Sequence, residues 1–226
     1  MKECLAIIAA LPQEVKHLVR GWQERRLPGK VTIYTNGFAV VACAGMGPAR
    51  VTLAVQAAMS IKPITALLSV GYAGACDPSL HVGDIVRAGV VVDTQSGERF
   101  SNPKFQQVLV SAPSIASIQE KQRLYASYQA SAVDMEAATV ARIALANNLP
   151  FQALKAISDD SAFELKELAR FATHDGQFRE AAFAAYSVAR PRLWAKLFHL
   201  ARNSKLALES LTAELETQLD WYRQRT

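Results

Sequence analysis

Cysteine is scarce in this 226-residue chain. Cys4, Cys43 and Cys76 lie in or beside apolar stretches, no CxxC pair occurs, and no histidines cluster at metal-ligand spacing. A disulfide scaffold and a zinc module are thereby excluded, and a reduced, cytosolic, metal-free protein is expected. A long apolar run is missing from the N-terminus too. MKECLAIIAALPQEV breaks at a proline and charges, so neither a signal peptide nor a membrane span is expected there. No GxGxxG occurs: GMGPAR and GYAGA both lack its spacing, which argues against a Rossmann dinucleotide site and a dehydrogenase.

Charge of one sign is in modest excess, 25 Lys and Arg against 20 Asp and Glu, a net +5. The basic residues are spread along the chain and no basic motif is interleaved with aromatics, so a solvated surface explains them and nucleic acid is not an expected partner. One exception is RPRLWAKLFHLARNSK, Arg190 to Lys205, which has basic or histidine side chains and no acid. Leu193, Trp194, Leu197, Phe198 and Ala201 recur there at helical spacing. Such a helix docks its apolar stripe on the domain, or lies on an anionic membrane surface.

What is present is material for a core. Half of the residues are hydrophobic and a fifth charged, which is globular usage. The length suits one α/β domain over residues 1–226 with a helical C-terminal extension from about 178.

CLAIIAA reads as a buried strand, and Pro12 then opens PQEVKHLVRGWQER, where Val15, Leu18, Val19 and Trp22 predict a helix. VTIYTN and FAVVACA are extended runs around the turn at Asn36 and Gly37. ARVTLAVQAAMSI is a helix opening at GMGP. ITALLSV, IVRAGVVVD, QQVLVSA, AVDM and FQALKAIS read as strands, EAATVARIALANN as a helix, and the chain from Phe178 as helical. Near-continuous apolar strands alternating with helices predict an α/β fold: a central mixed, mostly parallel sheet flanked by helices.

In such sheets ligands sit beyond the carboxyl ends of the strands. Glu14, Gly45 and Gly47, Gly71 and Gly74, Glu136, and Asp159 fall at five such ends. Each has a plainer explanation as well. Glu14 could favour a helix N-terminus through its dipole, worth about 0.3–1 kcal/mol, and Asp159 or Asp160 could be an N-cap.

AIIAALPQEV, SVGYAGACDPSLHVGDIV, AVDMEAATVA and PFQALKAISDDS together resemble the signature blocks of the purine nucleoside phosphorylase superfamily, family one. Within it, residues 4 to about 160 are most similar to the 5′-methylthioadenosine/S-adenosylhomocysteine nucleosidases. The stretch DGQFREAAFAAYSVARPRLWAKLFHLARNSKLAL resembles the C-terminal helices of hopanoid-associated nucleoside phosphorylases instead.

The resemblance implies cleavage of an N-ribosyl bond. Asp159 would protonate purine N7, and its apolar strand would favour the neutral acid through desolvation. Glu14 would activate the attacking water. Glu136 would accept hydrogen bonds from the ribose 2′ and 3′ hydroxyls, with Met135 packed on the sugar. Tyr72, Ala73, Gly74, Ser158, Lys155 and Ile115 complete the expected substrate-binding set. Three of these depart from the nucleosidase pattern. Tyr72 replaces a small hydroxyl residue, Lys155 an arginine, and Ile115 an aromatic ring.

No cofactor is implied. If phosphate replaced water as co-substrate, Gly47 and Arg50 would be its expected ligands. A silent nucleoside-binding relative is a further alternative, against which stands the retention of Glu14, Glu136 and Asp159 together. The resemblance also implies a homo-oligomer, a dimer or larger.

Overall fold

The structure is a computed structural model that describes residues 4–163, 171 and 191–224. The elements run β1 (Leu5–Ala9), a 3-10 turn (Pro12–Glu14), β2 (Gln23–Leu27), β3 (Val31–Thr35), β4 (Ala39–Cys43), α1 (Pro48–Ile61), β5 (Ala66–Ala75) and β6 (Ile85–Asp93). β7 (Arg99–Ser101), β8 (Gln107–Ser111), α2 (Ile118–Tyr128), β9 (Ala132–Asp134), α3 (Ala137–Ala146), β10 (Phe151–Asp159) and α4 (Pro191–Arg223) follow.

The strands form one mixed sheet with helices on its faces. β1 lies between β4 and β5, parallel to both. β5 runs beside β1 from Ala66 to Ser69, then bends away and pairs antiparallel with β9 through Gly74 and Ala75. Its other edge follows β10 in parallel. β10 continues through β6 and β8 to β9, so these five strands close a ring. The bend is at Gly71, where φ is +129°. A Cβ there would lie 2.9 Å from Glu14 Oε1, so glycine is required by backbone and by space.

Both faces of the central strands are covered, which is why CLAIIAA is apolar throughout. Leu5, Ile7 and Ala9 join a cluster with Ala207, Leu211, Leu215 and Leu219 of α4. Ala6 and Ile8 face the opposite way, toward Val51, Ala54, Val55 and Ala58 of α1 and Val140 of α3. The four-residue spacing along α4 gives one apolar stripe against the sheet.

Three departures from the sequence reading follow. The helix expected after Pro12 is a 3-10 turn and a run of turns ending at Gly21, where φ is +82°. Gln23–Leu27 then pairs antiparallel with β3. Val15, Leu18 and Val19 are nonetheless buried. Second, α2 and β7 were not anticipated.

Third, α4 docks through Ala207, Leu211, Leu215 and Leu219 and not through Trp194, Phe198 and Ala201 of the expected stripe. Trp194 is 47% and Phe198 73% exposed, and Ala201 is exposed as well. The expected helical start at Phe178 lies outside the described residues, as does most of the segment resembling the hopanoid-associated enzymes. Among the described residues no helix is long and apolar enough to cross a membrane.

Candidate functional site

A cavity of about 840 Å³ opens where β5 bends away from β1. Nine of the residues singled out in the sequence line it: Glu14, Tyr72, Ala73, Gly74, Ile115, Met135, Glu136, Ser158 and Asp159. The sheet thus gathers three carboxylates from elements far apart in the chain.

Glu14 ends the 3-10 turn that follows β1 and is 6% exposed. Its carboxylate fills the split between β1 and β5: Oε2 accepts the Leu11 N–H at 2.9 Å and Oε1 the Tyr72 N–H at 3.3 Å. Burial pushes the carboxyl above its ordinary value, and the backbone donors and the Lys155 charge only partly offset that. A carboxylate so placed is a stronger base than one in water.

Glu136 sits where β9 turns into α3 and is 8% exposed. Oε1 accepts the Gly47 N–H at 3.0 Å, and Oε2 the Met135 N–H at 3.3 Å. Burial pushes this carboxyl up to about 7, with Lys155 pulling down and Asp134 pushing up. The Gly47 amide, expected to serve phosphate, is therefore committed to Glu136.

Lys155 lies beneath the cavity wall, not on it as expected of a substrate contact. Its Nζ is 2.9 Å from Asp134 Oδ2 and donates to the Val70 carbonyl at 3.0 Å. Burial alone would lower the Lys155 pKa, but Asp134 and Glu136 outweigh it and hold the ammonium above its ordinary value. Asp134 also accepts the Ser111 hydroxyl at 2.6 Å and the Ala137 N–H at 2.9 Å, which anchors the start of α3.

Asp159 ends β10. Ser158 Oγ donates to its Oδ1 at 2.8 Å, and the Lys121 ammonium donates to its Oδ2. The sequence reading expected apolar surroundings for this carboxyl. The strand is apolar, but the side chain leaves it, is about a quarter exposed and meets a cation. Asp160 instead accepts the Ala162 N–H at 3.0 Å. Arg50 also departs from its expected place at a phosphate: its guanidinium donates to the carbonyls of Ala44 at 2.5 Å and Gly29 at 2.6 Å, and it is not on the cavity wall.

The three carboxylates and the sheet that brings them together are accompanied by a family match. A family model described as the phosphorylase superfamily matches residues 5–119 and 107–190. The chain belongs to the phosphorylase superfamily. Membership places it among enzymes that cleave N-glycosyl bonds.

Solved structures agree in fold with this superfamily member. The 5′-methylthioadenosine/S-adenosylhomocysteine nucleosidase of Helicobacter pylori superposes with a TM-score of 0.72 at 17% identity, over 97% of this chain and 98% of its own. The futalosine hydrolase of Helicobacter pylori gives 0.69 at 18% identity, over 96% and 99%. A nucleosidase of the former kind from Neisseria meningitidis gives 0.69 at 18% identity, over 94% and 96%. No curated protein sequence matches the chain.

Asp134 and Lys121 also belong to this arrangement. Asp134 stands in VDMEA, where nothing in the sequence marks it off from Met135 and Glu136. Lys121 rides on α2, whose start does carry a signal: the Ser117–Glu120 spacing of a helix N-terminus, with Ser117 Oγ accepting the Glu120 N–H at 3.2 Å. Nothing in the sequence shows that the next lysine turns inward.

Proposed function

We propose that the chain hydrolyses the N-ribosyl bond of a 5′-substituted adenine nucleoside and releases adenine. The convergence of Glu14, Glu136 and Asp159 on one cavity carries this reading. Glu14 takes a proton from water as the water oxygen bonds to the anomeric carbon. The bond from that carbon to the base nitrogen breaks, its electrons pass to the purine, and Asp159 delivers a proton to N7. Glu136 accepts from the ribose hydroxyls and stabilises positive charge developing on the sugar. The reading needs no cofactor.

Water is favoured over phosphate because both expected phosphate ligands are committed elsewhere, Gly47 to Glu136 and Arg50 to two carbonyls. The named nucleosidase relatives support methylthioadenosine and S-adenosylhomocysteine as candidate substrates, and the futalosine hydrolase relative makes futalosine, whose base is hypoxanthine, the competing one. The test is incubation with these three, inosine and adenosylhopane, with and without phosphate, followed by product analysis. Free base without phosphate supports hydrolysis. A sugar 1-phosphate that keeps the 5′ substituent, formed only with phosphate, makes the chain a phosphorylase, and binding without base release makes it a silent receptor.

A second reading concerns residues 190–205. The exposure of Phe198 beside exposed Lys196 and Arg202 supports contact with an anionic lipid surface, as a nucleoside lipid substrate would require. Salt-sensitive binding to anionic vesicles, weakened in Phe198→Ala and Lys196→Glu, tests it. Indifference to such vesicles at low salt removes it.

A further inference from the structure

Lys121 is 1% exposed and is one of the largest fully buried side chains. It shares the buried face of α2 with Leu124, which packs in an apolar cluster with Cys76 and Val133, and an uncompensated cation buried there would be costly. The ammonium is instead fully used. Besides Asp159 Oδ2, Nζ donates to the carbonyls of Asp160 at 2.7 Å and Phe163 at 3.2 Å, which accounts for its three N–H bonds. With Ser158 on Oδ1, both oxygens of Asp159 are held.

A separate feature clears the space for this pair. Gly74 has no positive φ to explain it. A Cβ there would lie 2.8 Å from Asp159 Oδ2 and 2.9 Å from Lys121 Cε. β5 thus carries no side chain at the point where the cation and the carboxylate meet.

We infer that Lys121 is the positioning residue of Asp159, fixing its carboxyl group toward the cavity and tying it to the turn after β10. The inference rests on the reading of Asp159 as the acid. Asp159 takes its proton from water through the open cavity, on a lone pair that Lys121 and Ser158 leave free; when that O–H bond breaks and the purine N–H bond forms, the electron pair stays on a carboxylate beside an ammonium. That placement favours the transfer, and Lys121 keeps its own proton throughout. Lys121 acts through Asp159, so its removal should matter only where the leaving group needs a proton.

The experiment compares wild type, Lys121→Gln, Lys121→Met and Lys121→Arg on an adenine nucleoside and on 4-nitrophenyl riboside, whose nitrophenolate leaves without protonation. Lys121→Gln and Lys121→Met should lose about 10- to 100-fold in kcat on the nucleoside, part of the full 10²–10⁴ of an acid catalyst. KM should change little, Lys121→Arg should recover most of the rate, and the nitrophenyl riboside should be cleaved within about threefold of wild type. Equal losses on both substrates, or none on either, overturn the inference. Crystal structures of wild type and Lys121→Gln decide the matter independently of turnover. An Asp159 side chain that keeps its rotamer in the variant overturns the positioning role, and one that turns away supports it. Absence of base release by wild type would instead count against the proposed function.

Discussion

The Lys155 ammonium lies 2.9 Å from the Asp134 carboxylate, with both side chains at 1% exposure or less. This pair joins Asp134 on the cavity lining to Lys155 behind it and ties β10 to the start of α3, the element that presents Glu136. Lys155→Met would leave Asp134 buried without its counter-charge, which typically costs about 3–5 kcal/mol. Urea denaturation is the check, with Lys155→Arg expected to be milder. A Lys155→Met midpoint equal to wild type would mean the pair contributes little.

Asp159→Asn should fold and lose most base release, by about 10² to 10⁴ in kcat, because an amide cannot supply the proton. Asp160→Asn should be mild, since that carboxylate only caps the Ala162 N–H. Steady-state rates of adenine release compare the two. Wild-type rates in Asp159→Asn would remove it from the chemistry.

Glu136→Gln keeps the size of the side chain but loses charge and one acceptor. With Gly47 and Met135 each already donating to one oxygen, the ribose hydroxyls depend on the lone pairs that remain. We expect kcat/KM to fall for ribosides and to fall less for 2′-deoxyribosides, which lack one partner already. Identical losses on the two sugars would place the 2′ hydroxyl elsewhere.

The same substitution should alter stability against pH. Burial raises the Glu136 carboxyl from 4.5 to about 7, so the fold favours its protonated form. The contribution is fully present below pH 4.5 and is lost as pH rises through about 7. Glu136→Gln, neutral at every pH, should match wild type near pH 4.5 and gain on it by pH 8. Urea midpoints of the two proteins at both pH values measure this, and parallel curves would contradict it.

Gly71→Ala should fail on two counts, the left-handed φ of +129° and a Cβ 2.9 Å from Glu14 Oε1. A loss of about 1–3 kcal/mol is expected from the backbone alone. Activity should fall further than stability, because the displaced group is the candidate base. Retention of full activity would place the catalytic water away from Glu14.

Apolar runs were enough to read β1, β4 and β10, because both faces of these strands are buried, and helical periodicity was enough for α1, whose one buried face is Val51, Ala54, Val55 and Ala58. The segment after Pro12 shows the limit of that signal. Val15, Leu18 and Val19 have helical spacing and are buried, yet turns bury them equally well, and β2 forms only because β3 offers it a pairing edge. Glu14, Glu136 and Asp159 were legible because each stands at a strand end in a recognisable block.

The sequence by itself determined the α/β class, the superfamily and the identity of the three carboxylates, since these rest on local patterns that survive without knowledge of neighbours. Only the tertiary structure decided what surrounds them. Gly47 serves Glu136, Arg50 holds two carbonyls, Lys155 faces Asp134, and Lys121 faces Asp159 across an empty Gly74. The physical reason is distance along the chain. A buried charge is defined by its partner, and Lys121 and Asp159 are 38 residues apart until the ring of strands closes and brings α2 against the end of β10.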